Sequence, residues 1–410
     1  MKTNRIITKY LLVLAILILT GFYNIIEAAD WPHWRGPEHN GISKEKNWST
    51  DWPKDGPKIL WKASLGTGFS SITVSNGRAY TMGNTGSKDL DEKEHKDIVF
   101  CFDAKTGEEQ WQYPYPCPLL PKNYEGGPSA TPTVEGNRVY TLSKMGHVFC
   151  FDATKGNVIW QKNLKEELGI EMPTWGFAGS PLVVKNLLIF NAGTSGIALN
   201  KKTGEMVWQN GTNKSGYATA VEFKIGKQKG VAIFGKNMLY GINIKDGAKL
   251  WEYPWQSHAD ENNGDPIFMG DKVYISTLAG SALLKVEGDK VSEVWQNKTM
   301  KNHFNSTILL DGYFYGFDMS QLKCLDFNTG EEKWATEDYN KGSLMVAEGK
   351  LIILSEQGKL VIAEVSEKLI KPLAQAQILT GKCWTVPVLA NGRIYARNAT
   401  GDMVCVDVKR

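Results

Sequence analysis

Six cysteines are spread through the chain, with no adjacent pair and no Cys-x-x-Cys or Cys-x-x-Cys-His. Neither a thioredoxin-like centre nor covalent haem attachment is supported by that spacing. Histidine is as sparse, six in 410 residues, with none at ligand spacing from His303, so no zinc site is indicated. No GxGxxG, Walker or GxSxG pattern stands in a supporting strand–turn–helix context. An excess of one charge is also missing: 47 Lys and Arg against 44 Asp and Glu leave +3, which gives no electrostatic reason to expect nucleic acid.

The one long apolar run, about Tyr10 to Tyr23, follows Lys2, Arg5 and Lys9 and precedes the small residues Ala28 and Ala29. It is shorter than the roughly 20 residues of a spanning helix, and the order of charge, apolar run and small residues is that of a secretory signal. Residues 1–29 are therefore expected to be a cleaved signal, a retained anchor being the alternative, and no cysteine near the run's end offers a lipid attachment site. Cleavage removes the three basic residues and Glu27, bringing +3 down to +1. The mature chain is expected in the periplasm or at the cell envelope, with no further membrane span.

What is present is a repeat. DAKTGEEQW, ending at Trp111, returns as DATKGNVIW at Trp160, NKKTGEMVW at Trp208, NIKDGAKLW at Trp251 and DFNTGEEKW at Trp334, with looser copies at Trp61 and Trp295. Successive tryptophans from Trp61 are 50, 49, 48, 43, 44 and 39 residues apart, the length of one four-stranded propeller blade. A degenerate eighth copy, AEVSEKLIKPL, has Leu373 in place of the tryptophan. In the phrase, Asp103 suits a turn that offers backbone amides, Gly107 supplies positive φ, and Trp111 is a packing wedge. The motif thus reads as structure and carries no chemistry.

Central hairpins beginning near Arg78, Arg138, Leu187, Val231, Lys272, Tyr313, Lys350 and Arg393 make eight blades. The chain ends in MVCVDVKR, a third strand, and its missing fourth strand is PKILWKASLG near the start. An all-β, eight-bladed propeller of four-stranded antiparallel blades follows, closed by shared terminal strands that remove free edges. The expected layout is an arm at 30–55 and the propeller at 56–410.

Cys101, Cys150, Cys324 and Cys405 hold one repeat position, which Ala198 and Gly241 fill elsewhere. A small buried strand site is implied, with thiols on different blades too far apart to join. Cys117 and Cys383 lie outside the register, and a bond between them is not expected. The alternating charges of GSKDLDEKEHKD, 86 to 97, read as a solvated turn.

The stretches WPHWRGPEHNGIS, TWGFAGSPLV, MKNHFNSTILLDG, NKGSLMVAEG and GKCWTVPVLANGRIYARN, with the DxxTGxxxW blades, resemble the exported bacterial PQQ-binding-like β-propeller repeat proteins. That resemblance covers essentially the whole mature chain and extends to the quinoprotein alcohol dehydrogenase-like superfamily. It implies either a quinoprotein dehydrogenase holding pyrroloquinoline quinone (PQQ) and calcium, or a non-enzymatic BamB-like propeller of the outer-membrane barrel assembly machinery. The chain departs from the first by being shorter, by lacking adjacent cysteines and by offering no matched Glu/Asn/Asp calcium set. It departs from the second by lacking a lipobox and by carrying the WPHWRGP arm.

Loops that lead into inner strands converge on a propeller's channel. Here they are GTGFSS, YEGGPS, TWGFAGS, KSGYAT, NNGDP, KNHFNS, NKGS and GKCWT. Their aromatic and polar residues make a candidate ligand site: Tyr124, Glu125, Trp175, Asn263, His303, Lys341, Lys382 and Trp384, with Phe177, Tyr217 and Asn262 in the same loops. Trp175 and Trp384 are expected to stack on a planar ligand, and Lys341 and Lys382 to favour an anion, unless a carboxylate such as Glu125 answers them. A channel plugged by its own loops is the other reading. The expected function is an exported scaffold binding an envelope protein or a planar, anionic small molecule. No catalytic residue is named, no cofactor is certain, and a PQQ- and calcium-dependent alcohol or sugar dehydrogenase is the alternative.

Overall fold

In the first full copy of the phrase, Asp103 Oδ1 accepts the N–H groups of Lys105 at 2.9 Å and Thr106 at 2.8 Å. Gly107 turns the chain at φ +75°, and a Cβ there would meet Trp61 Cδ2 of the neighbouring blade at 2.5 Å. Backbone freedom and a bare α-carbon are both required of that glycine. Trp61 Nε1 in turn donates to the Ala104 carbonyl at 3.3 Å. The same link recurs from Trp111 to Ala153, Trp160 to Lys201, Trp208 to Ile244, Trp295 to Phe327 and Trp334 to Ser366, so these wedges are pinned to the next blade's turn, whereas Trp251 Nε1 has no partner among the described residues. Large apolar faces buried between blades supply the main cohesion of the ring.

A computed structural model describes residues 30–46, 48–87, 89–257 and 261–410. The signal expected at 1–29 lies outside them. Thr73–Ser75, Arg78–Asn84, Lys96–Asp103 and Glu109–Pro116 form blade 1, each strand antiparallel to the next. Six sheets of the same order follow at 133–163, 182–209, 221–254, 267–297, 308–336 and 343–377. Blade 8 joins Val388–Ala390, Arg393–Arg397 and Asp402–Asp407 to Ile59–Ser64 from the other end of the chain, with Trp61 opposite Cys405. The protein is an eight-bladed β-propeller closed by its two ends.

Cys101, Cys150 and Cys324 stand opposite Trp111, Trp160 and Trp334, as Ala198 and Gly241 stand opposite Trp208 and Trp251. In these blades a small residue faces the indole, whereas blade 5 has Leu283 opposite Trp295. All six thiols are buried and free, and burial pushes that of Cys101 up to about 12. Two details differ from the sequence reading. In blade 7 Ala374, one residue past Leu373, takes the tryptophan's register opposite Ile362. In blade 4 the second strand starts at Gln228 rather than near Val231. The charged hairpin is solvated only in part. His95 and Asp97 are buried at its base, where Asn84 Nδ2 donates to Asp97 Oδ1 at 2.7 Å.

Residues 31–46 run across the far ends of the inner strands. Trp31 bridges Val74, the Pro32 carbonyl takes the Val134 N–H, and Ile42–Ser43 pairs with Val346 and Ala347. The Glu45 carboxylate then accepts from the Asn391 and Gly392 amides. The arm thus closes one end of the channel. No helix among the described residues is long and apolar enough to cross a membrane.

Candidate functional site

Where the inner strands of blades 1 to 6 begin, each blade hands a backbone N–H to a side-chain oxygen of the next. Ser71 donates to Thr131 Oγ1, Thr131 to Ser180 Oγ, Ser180 to Thr219 Oγ1, Thr219 to Asp265 Oδ1 and Asp265 to Ser306 Oγ, at 2.8–3.1 Å. These bonds fix the inner strand starts around the axis. Blade 5 alone in this run has a carboxylate where its neighbours have hydroxyls. Asp265 Oδ2 accepts from Trp34 Nε1 of the arm at 2.6 Å, and Arg35 Nε lies 3.9 Å away. Arg35 also donates to the Thr307 carbonyl at 2.9 Å. Burial raises the Asp265 pKa and lowers that of Arg35, and each charge offsets the other's cost.

Above this belt is a cavity of about 520 Å³ to which all eight blades contribute, with Trp34 as its floor. It falls within the range of small-molecule sites. Tyr124, Trp175, Asn263, His303, Lys341 and Trp384 of the expected set line it, as does Tyr217. Glu125 and Lys382 stand at the rim as an ion pair at 2.8 Å. Phe177 is instead buried in the core with Leu142 and Leu164, and Asn262 is spent on the carbonyls of Gly235 and Lys236.

The rim holds a pile of flat groups that the sequence does not announce. Phe304 stacks on Trp384 with centroids 4.0 Å apart at 19°, and His303 stacks on Phe304 at 3.7 Å. Lys382 Nζ sits 4.3 Å from the Trp384 ring centre, and since Phe304 fills one face of that indole, the ammonium takes the other. Trp384 Nε1 donates to Glu356 Oε1 at 2.9 Å. Trp384 is therefore closed to a planar ligand, contrary to expectation, because both of its faces are used within the protein. Glu125 ends the pile on one side and Glu261, 3.4 Å from His303 Nε2, on the other. Its members come from the loops of blades 2, 8, 6 and 5, so the pile reaches past blades 1 and 7.

The remaining wall is aromatic, with Lys144 4.5 Å from the Tyr124 ring centre and Lys122 5.6 Å from that of Trp175. Tyr124 and Trp175 lie 5.8 Å apart at 53°, and Phe69 meets Tyr124 edge-on at 5.5 Å. Lys144, buried beside them, donates to Tyr124 Oη at 2.8 Å, and burial holds its ammonium down to about 8. Asn263 Nδ2 donates to the His303 carbonyl. Three polar atoms of the lining have no hydrogen-bond partner among the described residues: Trp175 Nε1, Glu261 Oε2 and His303 Nδ1. The His303–Glu261 approach is an ion pair when the imidazole is protonated, but it is too poorly aligned to be a hydrogen bond. Sequence reasoning missed Trp34, Phe69, Glu261, Asp265 and Phe304. The one available signal was the aspartate of GDP at a repeat position that reads Ser or Thr in blades 1 to 4 and 6, and Val386 in blade 8.

In the expected pair of PQQ and calcium, the cation requires several oxygen ligands to converge. The acidic groups of the lining are Glu261 and Asp265, and Asp265 is committed to Trp34, Arg35 and Thr219. Among the described residues no three His, Cys, Asp or Glu side chains gather to hold a metal ion. The donor set does not fit that pair of groups.

The europium-containing methanol dehydrogenase has a similar fold, with TM-score 0.70, 11% identity, and 92% of this chain and 98% of that one covered. BamB from Moraxella catarrhalis superposes with TM-score 0.62 and 16% identity over 86% of this chain and 99% of that one. The outer membrane protein assembly factor BamB of Yersinia pestis is 22% identical over 351 residues, 84% of this chain and 77% of its own. The family model described as outer membrane protein assembly factor BamB matches residues 95–336. More than half of the chain is matched in that way, and the chain belongs to the BamB family of PQQ-like β-propellers.

Proposed function

We propose that this chain is an exported, non-catalytic propeller of the cell envelope that acts as a binding scaffold, with the cavity at its channel mouth as the ligand site. The observation that carries the reading is the pit itself: eight loops converge on aromatic walls, and the arm closes the opposite end. The relatives named as outer membrane assembly factors support an envelope role with a protein partner. A planar or extended ligand remains compatible with Tyr124 and Trp175, and Lys341 offers a cation without a carboxylate partner among the ion pairs of the described residues. The quinoprotein reading has the shared fold in its favour and the donor set against it.

Because the native thiols are buried, an Asn123→Cys variant carries one accessible thiol at the mouth for an environment-sensitive dye. A saturable dye response to the protein or the small-molecule pool of an envelope extract supports the reading. Silence towards both pools, with dye-linked alcohol oxidation after addition of calcium and PQQ, overturns it.

A further inference from the structure

We propose that the pit binds a neutral carbohydrate, one saturated polyhydroxylated ring lying against Tyr124 and Trp175, an inference that rests on the reading of the pit as a ligand site. Charge is the first argument. The carboxylate of Asp265 is answered by Arg35, and Lys382 by Glu125. Within the lining Glu261 and Lys341 are opposite in sign and come from blades 5 and 7. Once Asp265 is set against Arg35, the charged groups left in the lining are one carboxylate and one ammonium, so the lining has no excess of one sign.

The unpartnered atoms are the second argument. Trp175 Nε1 can only donate, and an ionised Glu261 Oε2 can only accept. A carboxylate or phosphate ligand would satisfy the indole and repel Glu261. An ammonium would satisfy Glu261 and offer nothing to the indole. A hydroxyl both donates and accepts, so a polyol answers each of these atoms, and His303 Nδ1 in either tautomer.

Shape is the third. A flat fused ring needs a free aromatic face parallel to it, and the parallel faces at this mouth, Trp384 and Phe304, are already stacked together and capped by Lys382 and His303. Tyr124 and Trp175 also carry cations, Lys144 and Lys122 at 4.5 Å and 5.6 Å from their ring centres, but no ring is stacked parallel on either, and the two line the pit tilted by 53° to each other. A puckered ring directs C–H bonds along several axes and can meet both tilted faces, whose negative π-clouds attract such edges.

The test is calorimetry of the full mature chain with three probes: maltose, cellobiose and N,N′-diacetylchitobiose at millimolar concentration. Saturable binding of at least one is expected, insensitive to added salt and accompanied by a change in tryptophan emission. Glu261→Gln and Trp175→Phe, checked for unchanged melting, are each expected to weaken it about tenfold or more, the cost of one unanswered buried polar group. Should all three sugars fail while PQQ or an acidic peptide shifts the mouth-attached dye, the carbohydrate inference falls and the ligand site stands. Failure of every probe and every envelope pool removes both. Sugar binding that salt abolishes, or that both variants retain, also overturns the inference.

Discussion

Trp34 Nε1 donates to Asp265 Oδ2 at 2.6 Å across a separation of 231 residues, tying the N-terminal arm to the one carboxylate in the run of hydroxyls that circles the channel. The same carboxylate accepts the Thr219 N–H at 2.8 Å and faces the buried Arg35. Arm and propeller therefore share one polar cluster, and the floor of the pit depends on it.

Asp265→Ala is expected to destabilise the protein by about 3–5 kcal/mol, since it strands a buried guanidinium. A mutant that also loses its guanidinium, Asp265→Ala with Arg35→Met, should recover part of that loss. Denaturant unfolding monitored by tryptophan emission measures both. Equal stability of the parent and Asp265→Ala would show that the arm contributes nothing to the ring.

Two glycines with nearly the same backbone separate conformation from contact. Gly77 has φ +74° with nothing within 4 Å of the place a methyl group would take, whereas Gly107 has φ +75° and the Trp61 indole at 2.5 Å. Alanine at either site costs about 1–2 kcal/mol for its left-handed backbone. Gly107→Ala is expected to cost a further ~1–3 kcal/mol because the wedge must shift. Equal losses at the two sites would place the role of Gly107 in the turn alone.

The ring was legible because its interactions repeat. Trp111, Gly107 and Cys101 are each explained by a neighbour at a fixed offset, so periodicity revealed blade number, closure and the small site opposite the indole. The mouth does not repeat. Lys382 meets Glu125, and Trp384 meets Phe304, each across a blade that lies between them. The sequence placed these residues in loops that converge, but which faces would be spent on one another depends on how far each loop reaches past its neighbour. The arm was hidden for the same reason. Trp34 and Arg35 find their partner only once the ring has brought blade 5 beneath them.

Deleting residues 402–410 removes the third strand of blade 8 and unpairs Ile59–Ser64. Met403, Val404, Cys405, Val406 and Val408 are all buried, so this end differs from an ordinary frayed terminus. The truncated protein is expected to lose its cooperative melt or to melt many degrees lower. Calorimetric melting indistinguishable from the parent's would contradict closure by shared strands.

His33 and His39 stack in the arm with centroids 3.8 Å apart, and burial lowers their pKa values to about 4 and about 3, the neighbouring imidazole adding to the effect at His39. Free histidine titrates near 6.5. Between about pH 6.5 and 4 the unfolded chain therefore binds protons that the folded one refuses, and stability falls as the pH is lowered through that window. Asp97, pushed up to about 6 by burial, acts in the opposite sense. The difference between the parent and His33→Phe/His39→Phe isolates the pair. It should shrink steadily from pH 7 to pH 4 in urea titrations, and a difference independent of pH would rule the linkage out.

The two lysines at the mouth should respond differently to charge reversal. Lys382 is held 2.8 Å from Glu125 and lies over the Trp384 face, so Lys382→Glu sets two carboxylates together and removes the cap of the stacked pile. Lys341 stands 5.7 Å and 5.8 Å from the Phe304 and Trp384 ring centres, and its reversal forfeits cation–π attraction of roughly 0.5–1 kcal/mol at an exposed site. Lys382→Glu is therefore expected to lower the melting temperature and change tryptophan emission, while Lys341→Glu leaves melting nearly unchanged. With an acidic peptide as probe at low salt, Lys341→Glu should weaken any binding several-fold, because it replaces a cation of the mouth by a second carboxylate beside Glu261. Added salt should erase that difference, since screening acts on exposed charge over about 10 Å at 0.1 M. If both reversals leave melting, emission and peptide binding as in the parent, the lysines point into water and the pile has no part in shaping the mouth.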